Sequence, residues 1–123
     1  MAGLSSTQKD TILDATLVAG THMSLHSGDP GGTGASEAAG GPGPYARQAM
    51  AAAWAAAAGG TKANNAVVTF AGLPAGTWSY IGFWDAAVAG NFIWGGTVAV
   101  PRTTIAGDSL LFPVGNITAT FTP

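Results

Sequence analysis

The sequence predicts a mainly β protein: an antiparallel β-sandwich or barrel-like domain with one short N-terminal helix. Three observations carry that expectation. From Ala66 onward the chain breaks into short apolar runs separated by Gly, Pro, Asn and Asp turn signals. Ile117, Ala119 and Phe121 alternate with Thr118, Thr120 and Thr122, the two-residue period of a half-buried strand. A helical stripe accompanied by capping signals occurs at the N-terminal end. Six or seven short strands with turns between them point to a sandwich or barrel. At 123 residues the length suits one domain spanning 1–123.

Residues 5–19 read as the helix. Ser5 and Ser6 are N-cap candidates, and Gln8 stands three residues after Ser5, the spacing of a capping box. Ile12, Leu13, Leu17 and Val18 form a narrow apolar stripe, and Gly20 supplies a residue suited to the left-handed C′ position. His22–His26 reads as a short strand. In the segment that follows, 27–44, ten of eighteen residues are Gly or Pro. A loop of that length is unusual in a compact domain. Its composition supports no core of its own, so it is expected on the surface, ordered only against a neighbour.

Tyr45 to Ala58 gives conflicting signals. The alanine run around Trp54 has the highest helix propensity in the chain, yet Pro44 precedes it, Gly59 and Gly60 follow, and no N-cap is present. A strand through Arg47 to Trp54 would align Met50, Ala52 and Trp54. Beyond it, strands are expected at Val67–Phe70, Trp78–Trp84 and Phe92–Val100. Gly95 and Gly96 mark a bulge or a close backbone approach in the last of these. Leu110–Val114 and Ile117–Phe121 flank Gly115-Asn116 as a hairpin would. In Trp78–Trp84, Trp78, Tyr80 and Trp84 fall on one face, with Ile81 and Phe83 on the other. A strand apolar on both faces needs a second cover, from the helix or from a neighbouring subunit.

Charge is scarce. Only 8% of residues are Asp, Glu, Lys or Arg, against about 25% in an average domain. Lys9, Arg47, Lys62 and Arg102 are scattered, and the formal charge is −2. No basic stripe serves nucleic acid or a membrane surface. No run of apolar residues is long enough to span a bilayer, and Lys9, Asp10 and Asp14 interrupt any signal-peptide pattern. With no cysteine, thiol chemistry and disulfides are excluded. Surface so poor in charge is expected to be covered by small neutral residues and by other protein.

Candidate chemistry is thin. His22 and His26 would lie about 13 Å apart along a strand, too far to share a metal ion. Asp29 and Glu37 lack the alternating oxygen ligands of a calcium loop. No nucleophile–base–acid context or paired catalytic carboxylates emerge. The expectation is no enzyme, no cofactor and no metal. Trp78, Tyr80, Trp84 and Trp94 are the candidate site residues. They form either core and subunit interface, the favoured reading, or a stacking platform for a host surface glycan.

Three segments recur in order in a known setting: Thr21 to Gly31 (THMSLHSGDPG), Tyr45-Ala46-Arg47-Gln48, and Ile81-Gly82-Phe83-Trp84-Asp85-Ala86. Together they resemble the tail-fibre or minor-tail type virion proteins of phages, especially those of actinobacteria. That resemblance covers nearly the whole chain. It implies a non-enzymatic structural protein of the virion, made in the host cytoplasm, and a strand at Arg47–Trp54 in place of the helix that propensity favours. It also implies partners among other virion proteins and among identical subunits, a homotrimer favoured over a dimer. A capsid decoration protein and a glycan-binding receptor-recognition module are the alternative roles. The longer proline-rich loop at Gly41–Pro44 and the long alanine run depart from the pattern.

Overall fold

The computed structural model describes residues 5–17, 21–50 and 54–120. It is mainly β and antiparallel, with a short N-terminal helix. Helix α1 covers Ser6–Thr16. The strands are β1 (His22–His26), β2 (Gln48–Ala49), β3 (Thr61–Ala63), β4 (Val68–Phe70), β5 (Gly76–Trp84), β6 (Phe92–Thr104), β7 (Leu110–Phe112) and β8 (Thr118–Thr120). A four-stranded sheet runs in the order β2-β1-β5-β6, and two ladders, β3–β8 and β4–β7, complete the β structure.

Helix α1 begins where the capping signal places it. The Ser5 hydroxyl accepts the Gln8 amide at 3.2 Å, satisfying one of the free N–H groups of the first turn. The helix is shorter than expected. Leu17 leaves helical geometry at φ −100, ψ 75, its amide still bonded to the Leu13 carbonyl at 2.9 Å. Leu13 and Leu17 are fully buried, whereas Ile12 is half-buried. Val18 and Gly20 lie outside the described residues. Asp10 and Asp14 anchor the helix, accepting the Gly60 and Ala57 amides at 2.8 and 3.0 Å. Asp14 also pairs with Lys62 Nζ at 2.7 Å.

Met23, Leu25, Ile81 and Phe83 face one side of the four-stranded sheet. There they join Trp78, Val68, Phe70, Leu110, Phe112 and Ile117 in a single apolar core. The β4–β7 ladder thus forms a second layer over the sheet, as a sandwich requires. Strands β5 and β6 pair along most of their length, with two irregularities. At the larger one, residues 98–101 stand opposite Ser79 alone. This shift breaks the alternation assumed from sequence. Trp78 turns into the core and its indole N–H donates to Thr104 Oγ1 at 2.9 Å.

Three expectations need correction. The hairpin around Gly115-Asn116 does not form: β7 pairs with β4, and β8 pairs with β3. The connecting turn is held instead by buried Asn64. Its Nδ2 donates to the carbonyls of Ala66 and Pro113, both at 2.9 Å, and its Oδ1 accepts the Ile117 amide at 3.0 Å. Among its described residues the alanine-rich stretch supplies the two-residue β2 and two isolated bridges, Trp54 to Asn64 and Ala58 to Thr61, rather than a strand through Arg47–Trp54. No helix forms there among the described residues, and 51–53 lie outside them. Packing decides this: the Trp54 indole donates to Thr21 Oγ1 at 3.0 Å and leans on the Phe83 ring at 5.1 Å. Third, β6 continues past Val100 to Thr104, and β4 begins at Val68, one residue later than expected.

Candidate functional site

The second face of the sheet is polar and is closed by the chain's own Gly-rich loop. His22, Ser24 and His26 of β1 stand across from Trp84, Gly82 and Tyr80 of β5. Ser24 and His26 are fully buried. The loop crosses over them by directed contacts. The Ala38 amide donates to the Leu25 carbonyl at 2.9 Å, and the Ser27 amide to the Ser36 carbonyl at 3.1 Å. Gly34, at φ +77, lies directly beneath the Trp84 and Phe92 rings, where any Cβ would overlap them. Further along, the Gly43 amide donates to the Gly72 carbonyl at 2.9 Å, two backbones meeting where neither has room for a side chain. The loop is ordered on its own sheet, correcting the expectation that it needs a neighbour. Glycine is what permits the approach: the composition read as disorder is the composition of close backbone packing.

Beneath the loop runs a saturated hydrogen-bond chain. Trp84 Nε1 donates to Ser24 Oγ at 2.9 Å, and Ser24 Oγ lies 2.7 Å from His26 Nε2. His26 Nδ1 lies 2.7 Å from the Ala35 carbonyl. A carbonyl only accepts, so Nδ1 carries the proton, Nε2 accepts, and the Ser24 hydroxyl donates to it. Burial lowers the His26 pKa, outweighing the bond to Ala35 that would raise it. The serine–histidine distance is that of a nucleophile and its base, but both residues are sealed and every polar atom is already used. Sequence reading missed this pair; the available signal was two polar residues spaced two apart on a strand, hence on one face.

At the margin of the loop, Arg47 ties three segments together. Its Nε and Nη2 grip Glu37 Oε2 and Oε1, both at 2.9 Å. Nη1 donates to the carbonyls of Ala86 and Ala89 at 3.0 and 2.8 Å. The guanidinium lies 3.7 Å from the Trp84 ring centroid, a stacked cation–π contact. The Tyr45 hydroxyl donates to Glu37 Oε2 at 2.9 Å and accepts the Leu25 amide at 3.1 Å. Burial alone would raise the Glu37 carboxyl, but the bonds from Arg47 and Tyr45 prevail and hold it low. Burial pushes the Tyr45 phenol up. The three recurrent sequence segments therefore converge on one place: β1, the residues leading into β2, and the end of β5.

The four candidate aromatics do not form one platform. Trp78 faces the core, and Trp94 packs against it; Trp84 lies under the loop, and Tyr80 shares that side half-exposed. A second cover for β5 exists within the chain itself, and it is the loop rather than the helix. Among the described residues no group of His, Asp or Glu is arranged to hold a metal ion, and no helix is long and apolar enough to cross a membrane.

The charged side chains are mostly occupied internally. Every acidic group accepts hydrogen bonds within the chain: Asp10, Asp14 and Glu37 as above, Asp29 from the Gly31 amide, Asp85 from Asn91, and Asp108 from the Ile105 amide. Lys62 and Arg47 are held in ion pairs. The outside instead shows Val67, Val88, Val100, Ile105, Leu111 and Val114, each about half exposed or more.

No curated protein matches the chain. A family model described as Podophage GP4 fiber I protein gp80 matches residues 4–120. That match spans β1, the Arg47 clamp, the loop and both ladders. The chain belongs to the Podophage GP4 fiber I protein gp80 family, fibre structural proteins of the phage virion.

Proposed function

We propose that this chain is a non-enzymatic subunit of the phage tail fibre that works by assembly. Neutral, apolar surface docks it to identical copies and to other virion proteins. The use of charge carries this reading. Acidic groups are tied to backbone amides or to internal cations, while valine, leucine and isoleucine side chains stand in solvent. Surface of that kind favours association over solvation. The sealed Ser24–His26 pair supports a structural role, since nothing can reach it. Three-fold closure is the arrangement that the family resemblance favours, and two-fold closure is the alternative.

Electron microscopy of the intact particle, with the subunit marked by a fused tag, tests the location. Tag density on the tail fibres is the expected result. Tag density over the capsid shell overturns the tail reading and makes the chain a decoration protein.

A further inference from the structure

Of the four basic side chains, Arg47 and Lys62 are held in ion pairs, and Lys9 lies on α1 with its stem beside Gly60. Arg102 is half-buried and, among the described residues, has no hydrogen bond or ion pair. A charge drawn partly out of water without a partner costs stability. Arg102 stands opposite Trp78 in the β5–β6 ladder, and Trp78 faces the core. Residues directly opposite each other point to the same side, so Arg102 leaves the sheet on the core side. Just before it, residues 98–101 leave the ladder. A cavity of about 170 Å³ opens there, between β6 and the turn that joins β7 to β8.

Its lining suits a carboxylate attached to a short carbon chain. Ile81 and Phe112, both buried, form an apolar floor. Arg102 brings a planar fork of donors that matches two coplanar carboxylate oxygens. Thr97, Asn116 and Thr118 line the rest, exposed and with no side-chain hydrogen bond among the described residues. No acidic residue among those described lines the cavity to satisfy the guanidinium.

The floor discriminates between anions. Bare phosphate or sulfate has no apolar part to lay on Ile81 and Phe112. A uronic acid gains no stacking, because the Phe112 ring in the lining is buried and offers it no open face. An acidic side chain of a polypeptide matches both halves, with methylenes on the floor and its carboxylate on Arg102. A second copy of this chain has none to give. Each of its acidic groups already accepts a hydrogen bond within its own fold.

We infer that the Arg102 cavity is the docking point for a glutamate side chain of a different virion polypeptide. This rests on the reading of the chain as an assembling subunit, and it adds one directed contact to an otherwise apolar junction.

The probe is N-acetylglutamate N′-methylamide, whose only charge is on its side chain. It is titrated into the isotope-labelled full chain and followed by NMR at Arg102 Nε and at the amides of Thr97, Asn116 and Thr118. Saturable shifts confined to these groups are expected, half-complete at about 1 mM for so small a ligand. The neutral glutamine analogue is expected to produce none. This two-probe comparison uses the parent chain alone, so it stands whatever a variant does to folding. Arg102→Gln is expected to abolish the shifts and keep the parent's melting temperature, since nothing in the fold pairs with Arg102. Absence of a saturable shift, or an equal response to inorganic phosphate, overturns the glutamate site. Tighter binding of glucuronate overturns it in favour of a sugar carboxylate. The second readout is the number of copies per purified particle, counted by mass spectrometry in phage carrying Arg102→Glu. That number is expected to fall at least about tenfold, as when a charge pair is broken at an interface. An unchanged number overturns docking through Arg102 and leaves assembly through other surfaces standing. Absence of the parent chain from particles overturns the assembly reading itself.

Discussion

The two faces of the four-stranded sheet are closed by different physics. On one, Met23, Leu25, Ile81 and Phe83 meet the β4–β7 ladder through non-directional apolar contact. On the other, Ser24, His26 and Trp84 meet a Gly-rich loop through a chain of directed hydrogen bonds, with Arg47 fastening the margin. The first kind of closure tolerates changes of detail as long as volume is kept. The second fails when one donor or acceptor goes missing, because its partners stay buried. One sheet therefore has a robust side and a brittle side.

Phe83→Ala is the strongest test of the robust side. It removes a ring from the centre of the core, with an expected loss of about 3–5 kcal/mol, read as a lower midpoint in urea. Phe83→Leu is expected to recover most of it. If Leu recovers nothing, the core face is as geometry-bound as the loop face and the contrast breaks.

On the brittle side, Arg47→Ala is expected to cost about 3 kcal/mol, since it leaves the half-buried Glu37 carboxylate of the loop without its cation. Arg47→Lys recovers little, because a point charge cannot make the fork to Glu37 and also reach two carbonyls. Limited proteolysis shows where the damage falls: cleavage within 27–44 appears in both variants but not in Phe83→Leu. Full recovery by lysine removes the case for a geometric clamp.

The smallest expected effect is a response to pH. His26 is neutral and its pKa is lowered by burial, so below about pH 6.5 the unfolded chain takes up a proton that the folded chain refuses. Stability is full above that pH and declines below it, by at most about 1.4 kcal/mol per pH unit for one group. Only at lower pH do Glu37, Asp14 and Asp85, all with lowered pKa, begin to contribute a further loss. Thermal melts between pH 7 and pH 5 read the first step. In His26→Gln that step is absent; if it persists there, another group is responsible.

The same contrast explains how much the sequence disclosed. Alternation and apolar runs placed β1, β5 and β6, and the serine cap placed the start of α1, because each is a local pattern with a local cause. The pairing of β7 and β8 was not legible. Gly115-Asn116 looks like a hairpin turn, but its geometry is dictated by Asn64, some fifty residues away in the chain. The Gly-rich loop was misread for a related reason. Composition reports that a segment builds no core; it does not report that glycines let it lie flat on another surface. Of the Arg47–Glu37–Trp84 cluster, Arg47 and Trp84 lie in segments that the family resemblance singled out and Glu37 does not, and nothing in their spacing announces a contact between segments so far apart.

Dissolved salt acts unequally on the two ion pairs, because the Asp14 side chain is 47% exposed beside Lys62 and that of Glu37 only 21% beside Arg47. Exposed charges exchange attraction with a partner through water, and that attraction fades once ions crowd within a Debye length, about 8 Å in physiological saline. The more buried Arg47–Glu37 pair is screened less than the Lys62–Asp14 pair. The fastening of the loop is therefore expected to hold in salt that loosens the tie between α1 and Lys62.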